Sequence, residues 1–198
     1  MLLWARTRRF GYLLLLAVSA PVLGSIVAGT SVMLPSLTSG SPFGSVPASV
    51  LLAMVLPLSL GTSLHGATPL LGSTASRPIS QLDTAACLLC LAVSVSTCAL
   101  LGIVGWNEWQ IYVRSSVTLL AVSLLGLPLA GYRYQSIVPV LYVFFAAVFG
   151  RGPGGKPAVW GWVIDPQLQP WHLPAAAVLL GAGATVAALL GPRYLGKK

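Results

Sequence analysis

Charge is what this sequence has least of. Asp and Glu together number three, Lys and Arg eleven, and charged residues make up 7% of the chain, against roughly 25% in soluble domains. A soluble domain of 198 residues cannot cover its surface with so few charges, which excludes a water-soluble enzyme. Disorder is excluded as well, because disordered chains are polar and 56% of these residues are hydrophobic. Cysteine is scarce too. Cys87, Cys90 and Cys98 lie in one apolar stretch, and none is predicted outside a membrane, so structural disulfides are not expected.

What is present is apolar length. A helix needs about 20 apolar residues to cross a hydrocarbon core of about 30 Å. Runs free of Asp, Glu, Lys, Arg and His predict six spans, at Phe10–Leu34, Ser45–Leu64, Thr84–Val104, Ser115–Gly131, Tyr134–Phe149 and Pro174–Gly191. Spans four and five are separated only by Tyr132 and Arg133 and read as a tight helical hairpin. The expected fold is therefore all-α, a polytopic membrane protein forming one transmembrane domain over residues 1–198. The N-terminus also has signal-peptide features: basic residues, an apolar run, then Ala17-Val18-Ser19-Ala20. Pro21 would follow the cleavage point directly and the apolar character continues to Leu34, so a retained first span is the preferred reading. Cleavage would leave five.

Cytoplasmic loops carry the excess of Lys and Arg. With the N-terminus inside, Arg6, Arg8, Arg9, Arg77, Arg133, Arg193, Lys197 and Lys198 fall on the inner side, and Arg114, Arg151 and Lys156 on the outer. Six spans with both termini cytoplasmic, in the cell membrane, account for this asymmetry. The net charge of +8 is then a topology signal, helped by attraction to anionic lipid heads. No basic stripe interleaved with aromatics points to nucleic acid. Trp106, Trp109, Trp160, Trp162 and Trp171 fall in outer loops or at their edges, where amphipathic rings collect at headgroup level.

The segment Gly150–Leu173 contains Pro153, Pro157, Pro166, Pro170 and the run from Trp160 to Asp165. It is too apolar for a solvated loop and too short for a span. Short interfacial helices dipping into the outer leaflet between spans five and six are expected, since backbone at that depth must be helical or sheltered. The inner segment His65–Asp83 holds Arg77-Pro78-Ile79 and Leu82-Asp83. Pro78 suits a first helical position, so a short amphipathic helix is expected there, against the alternative of a plain interfacial connector.

Several motifs fail on inspection. Gly150 to Pro157 nearly fits a phosphate-binding loop, but Pro157 replaces the hydroxyl residue that would hold magnesium and no strand precedes it. Any ATP must be bound by another chain. Gly61-Thr62-Ser63-Leu64-His65-Gly66 misses a nucleophile elbow by one position, and residues two apart on a helix face different ways. His65 and His172 read as interfacial residues. Cys87 and Cys90 have redox-like spacing, but Cys87, Cys90, Ser94 and Cys98 share one helical face, and small residues there favour close helix packing. Ala177, Gly181, Ala184 and Thr185 repeat the pattern in span six. Asp83, Glu108 and Asp165, predicted on both sides of the membrane, cannot assemble the carboxylates of a metal-dependent lipid phosphotransferase. Ionisable groups within the spans, usual in ion-coupled transporters, are absent from the predicted runs. No catalytic residue, metal or cofactor is expected.

The layout resembles the six-span permease subunits of ABC exporters, especially small actinobacterial ones. Arg77-Pro78, Ile79 and Leu82-Asp83 look like the inner helix that docks on the ATPase, and Trp160-Gly161-Trp162 with its flanks looks like the outer hairpin between spans five and six. The segment before span one is only about nine residues, shorter than the connecting helix of larger members. The resemblance implies a separate cytoplasmic ATPase subunit, a second permease chain, and an amphiphilic, lipid-like or peptide cargo. It places ATPase coupling at Arg77, Pro78, Ile79, Leu82 and Asp83, and the outer gate at Trp160, Trp162, Asp165 and Trp171. Two other classes fit the composition: a six-span substrate-capture subunit of a vitamin-type importer, and an accessory or immunity protein that moves nothing.

Overall fold

A computed structural model describes residues 9–37, 43–65, 79–152 and 157–190. These residues are mostly helical. Helix α1 (Phe10–Ile26) leads into an antiparallel hairpin of β1 (Ser31–Pro35) and β2 (Phe43–Pro47). Helices α2 (Ala48–Ala53), α3 (Val55–His65), α4 (Ile79–Ile103), α5 (Trp109–Tyr134) and α6 (Ile137–Phe149) follow. A short 3-10 helix (Val159–Ile164) and α7 (His172–Leu190) complete the order.

The hairpin is the first departure from the sequence expectation. The apolar run from Phe10 does not remain helical to Leu34, because Gly29 takes a left-handed conformation (φ 78°) after the α1 cap at Val27. Strand pairing then runs from Ser31 opposite Pro47 to Pro35 opposite Phe43. Prolines at both outer ends stop the ladder from extending, since proline has no N–H to donate. The predicted second span accordingly loses its first residues to β2. It is broken again at Met54, one turn before Pro57, whose missing N–H leaves the Ala53 carbonyl without its helical partner.

Three helical stretches are long and apolar enough to cross a membrane: Gln81–Ile103, Trp109–Gly131 and His172–Leu189. Three further apolar stretches, Phe10–Ile26, Ala48–Ser63 and Ile137–Phe149, are shorter. At 1.5 Å per residue the last of these is only about 20 Å long. The set fits a membrane protein, with six apolar helical rods where the sequence predicts six full spans. Helix α5 also begins six residues before the predicted Ser115 start, so Arg114 lies inside a helix and not in a loop. It bends at Gly131 (φ 64°, ψ 174°), three residues after Pro128, the usual cause of a sharp break.

Helix α5 touches every other helix. Its first half joins Tyr112, Val113 and Leu119 to Val50, Ala53, Cys98, Val143 and Ala146, and its second half joins Leu120, Leu124 and Leu127 to Leu13, Leu56, Leu60, Cys87 and Cys90. Small residues make the approaches close. A Cβ on Gly183 of α7 would come within 2.8 Å of the Ala121 carbonyl oxygen, whereas one on Gly181 would meet nothing within 4 Å. Ala177 and Gly181 lie on the exposed side of α7, so neither packs within this chain, and it is Gly183 that seats the helix. Cys87, Cys90, Ser94 and Cys98 are all fully buried along one face of α4, and all three thiols are free.

Main-chain links gather the turns at one end of the bundle. Gly29 N–H donates to Glu108 Oε1 at 2.8 Å. Leu37 N–H donates to the Val148 carbonyl at 3.0 Å and Ala48 N–H to that of Thr30 at 3.0 Å. Arg151 Nη2 donates to the Ser45 carbonyl. The hairpin, the α4–α5 turn and the segment after α6 therefore form one cap. The Gly183 contact yields a prediction. Gly183→Val forces side-chain atoms against backbone that cannot yield, and overpacking of this kind costs about 1–3 kcal/mol. Thermal unfolding of the purified chain in detergent should fall for Gly183→Val and stay near wild type for Gly181→Ala.

Candidate functional site

The cap is organised around one charged side chain. Tyr112, Arg114, Ser115 and Ser116 occupy the early turns of α5, and Arg114 is 0% exposed. An isolated guanidinium in such surroundings would be prohibitively costly. Four acceptors converge on it. Arg114 Nη2 donates to the main-chain carbonyls of Asp165 at 2.7 Å and Val163 at 3.2 Å. Nη1 donates to the Gln167 carbonyl at 3.2 Å and lies 3.2 Å from His172 Nδ1. The planar fork of arginine suits this arrangement, with several donors fixed in one plane.

The segment so held is the one after α6. Its entry is tight: a Cβ on Gly161 would lie 2.6 Å from the Gly150 carbonyl oxygen, and Ala158 N–H donates to that same oxygen at 2.7 Å. Arg151 and Pro157 pair as an antiparallel bridge. Tyr142 of α6 donates its hydroxyl proton to the Trp160 carbonyl at 2.8 Å. Asp165 Oδ1 accepts from Gln167 N–H at 2.9 Å, shaping the turn that follows the 3-10 helix. The carboxylate also stands near the Arg114 charge and offsets part of it.

His172, the first residue of α7 and 1% exposed, closes the arrangement. Its Nδ1 faces two groups that can only donate, Arg114 Nη1 at 3.2 Å and Gln169 N–H at 3.1 Å. Nδ1 is therefore the unprotonated nitrogen, and the proton of the neutral ring sits on Nε2. Around it the rings pack edge to face: Trp171 to His172 at 4.4 Å and 73°, Trp162 to His172 at 5.9 Å and 77°, while Trp162 and Trp171 lie 5.2 Å apart, tilted by 35°. A cavity of about 530 Å³ opens beside these rings, lined among others by Arg151, Trp162, Asp165, Gln167, Trp171 and His172.

Of the residues singled out in the sequence, Trp162, Asp165 and Trp171 meet at this cavity, whereas Trp160 does not line it and takes part through its carbonyl, which accepts from Tyr142. Arg114, Tyr142 and His172 were not among them. Arg114 was read as a loop charge and His172 as an interfacial ring. The available signal was an arginine one residue before an apolar run and two residues after Tyr112, in a stretch from Trp109 to Val113 without charge, which is compatible with a longer helix. At the opposite end, Arg77 and Pro78 lie outside the described residues. Ile79, Leu82 and Asp83 belong to the first turns of α4, in one continuous helix with the third apolar stretch and not in a separate amphipathic one. Asp83 is buried, at 2% exposure.

Arg114→Leu removes the donors and strands three carbonyls. At about 1–3 kcal/mol for each buried unsatisfied group, partly relieved by losing a buried charge, a net destabilisation of about 2–4 kcal/mol is expected. Limited proteolysis should show new cleavage between residues 158 and 171. Arg114→Lys should be intermediate, because one ammonium cannot reach all four acceptors. Unchanged protection in Arg114→Leu would show that the other contacts hold the segment without it.

No family model, curated protein or solved structure matches the chain, and the reading of the site rests on its own geometry.

Proposed function

We propose that the chain is the membrane permease subunit of an ATP-driven ABC transporter, exporting an amphiphilic, lipid-like or peptide cargo. It crosses the cell membrane six times with both termini cytoplasmic and works with a separate cytoplasmic ATPase subunit and a second permease chain. The observation that carries this reading is the segment between α6 and α7, folded back on the bundle and bolted there by Arg114 and Tyr142. A re-entrant cap of this kind keeps non-helical backbone sheltered by protein at membrane depth. On this reading Trp160, Trp162, Asp165 and Trp171 form the outer gate. At the other end, where α4 begins at Ile79, an ATPase would dock on Arg77, Pro78, Ile79 and Leu82, with Asp83 buried behind them. The exposed face of α7 gives the second chain a seat: Ala177, Gly181 and Thr185 are one turn apart and exposed, and small residues at that spacing let helices in lipid approach closely.

The cavity beside Trp162, Trp171 and His172 favours a second reading, a substrate-capture subunit, since a site of about 530 Å³ is within the range of small-molecule pockets. Retention of a small molecule through mild purification would select it.

Affinity purification of the full chain from its native cell in a mild detergent, followed by mass spectrometry, tests the permease reading. A near-equimolar protein bearing a complete phosphate-binding loop is the expected result. Recovery of this chain alone would overturn it and leave an accessory or immunity role. Gly181→Leu should shift the purified chain from dimer to monomer in light scattering, with Gly181→Ala remaining dimeric; a Gly181→Leu dimer would remove α7 from the interface.

A further inference from the structure

Among the polar side chains that line the cavity in the cap are Arg151, His172, Gln167 and Gln169, beside a single carboxylate, Asp165. Arg151 lines it and uses Nη2 on the Ser45 carbonyl; its Nε is buried beside Gly44 without a hydrogen-bond partner among the described residues, and Nη1 is the guanidinium nitrogen left for a ligand. His172 also lines it. Its Nδ1 is consumed by Arg114 and Gln169, so the proton-bearing Nε2 is a donor that makes no hydrogen bond among the described residues. Gln167 and Gln169 add side-chain amides at the rim. Against these stands one carboxylate, Asp165, whose Oδ1 is already engaged by Gln167 N–H. Two guanidiniums, Arg114 behind the wall and Arg151 within it, outnumber that single negative charge.

Size and shape add a second requirement. About 530 Å³ is far more than a bare anion fills and sits within the roughly 300–1,000 Å³ of sites for organic ligands. The tilted pair of Trp162 and Trp171 gives one wall a broad apolar surface, and Val159 beside it is 77% exposed, so the apolar side opens outward. A ligand that satisfies both walls carries an anionic group at one end and apolar surface at the other.

We propose that this cavity binds a phosphate monoester, the phosphate held by Arg151 and the His172 Nε2–H and the organic part laid against Trp162 and Trp171. Guanidinium and imidazole N–H groups are charge-assisted partners for phosphate, and two tryptophan faces favour an aliphatic chain or glycerol backbone. The site stands on the cavity itself and does not depend on the transport reading; a chain without an ATPase partner would still hold it. The same chemistry is presented by a lysolipid headgroup and by a soluble phosphate ester.

Binding to the full chain in phosphate-free maltoside detergent separates these sources. The probes are lysophosphatidate, the monoacylglycerol of the same chain length, glycerol 3-phosphate and inorganic phosphate, followed by intrinsic tryptophan fluorescence and thermal shift. Saturable binding of lysophosphatidate, at least tenfold tighter than monoacylglycerol, is expected. Glycerol 3-phosphate binding equally well would identify a soluble ester; binding only the lysolipid would identify a lipid head. Arg151→Gln should weaken both phosphate esters about tenfold or more, while Arg151→Lys, which keeps the charge, should retain part of the ester affinity at a similar thermal midpoint to Arg151→Gln, both variants losing the link to the Ser45 carbonyl. Trp171→Ala should weaken lysophosphatidate more than glycerol 3-phosphate. Equal binding of monoacylglycerol and lysophosphatidate would overturn the proposal, as would inorganic phosphate binding as tightly as either ester. No effect of Arg151→Gln on ester binding would do the same.

Discussion

Everything at the capped end of this bundle depends on keeping one guanidinium out of solvent without leaving it unpaired. Burying a charge is among the most expensive acts available to a chain, and Arg114 is wholly buried. The cost is offset because the carbonyls of Val163, Asp165 and Gln167 and the ring of His172 all turn toward it. Those carbonyls come from irregular backbone that would otherwise lack helical partners. Each side therefore solves the other's problem: the charge needs acceptors, and the turn needs a donor. The tautomer of His172, the geometry of Trp162 and Trp171 and the shape of the cavity follow from that exchange.

Helix α5 makes the exchange possible because it is the one element every other helix touches. Close seating of α7 through Gly183 on the Ala121 carbonyl, and of α6 through Gly126 under Val138, brings His172 and Tyr142 within reach of the same turns. The bend at Pro128 and Gly131 comes a full helical half away from Arg114, so the capped half of α5 is straight where it must be.

The helical, apolar character of the chain was legible from composition and from runs without charge: three of the six predicted stretches coincide with helices long enough to cross a membrane and the other three with shorter apolar helices. The hairpin was not, because Ser31–Leu34 and Ser45–Pro47 are apolar enough to extend a helix by hydropathy; conformation at Gly29 and the placement of Pro35 and Pro47 decide otherwise. At the cap, Trp162, Asp165 and Trp171 stood out because aromatics and prolines crowd that segment. Arg114 did not, since counting positive charges treats an arginine near a span end as a loop residue whatever it touches. Burial of a charge is a tertiary fact, and here its partners lie between 49 and 58 residues away. Asp83 failed in the same way: its side chain is inside the bundle, where a flanking polar residue was expected.

The acceptors that hold Arg114 are, with the exception of His172, main-chain oxygens, and every amino acid supplies one. Apart from Asp165, whose carboxylate shapes the turn, substitutions along residues 163–167 can therefore accumulate without loosening the anchor, so long as the backbone keeps its path. The fold has separated what fastens the cap from what the cap displays, and the cavity wall is free to drift toward new ligands across descendants of this chain while its foundation stays the same.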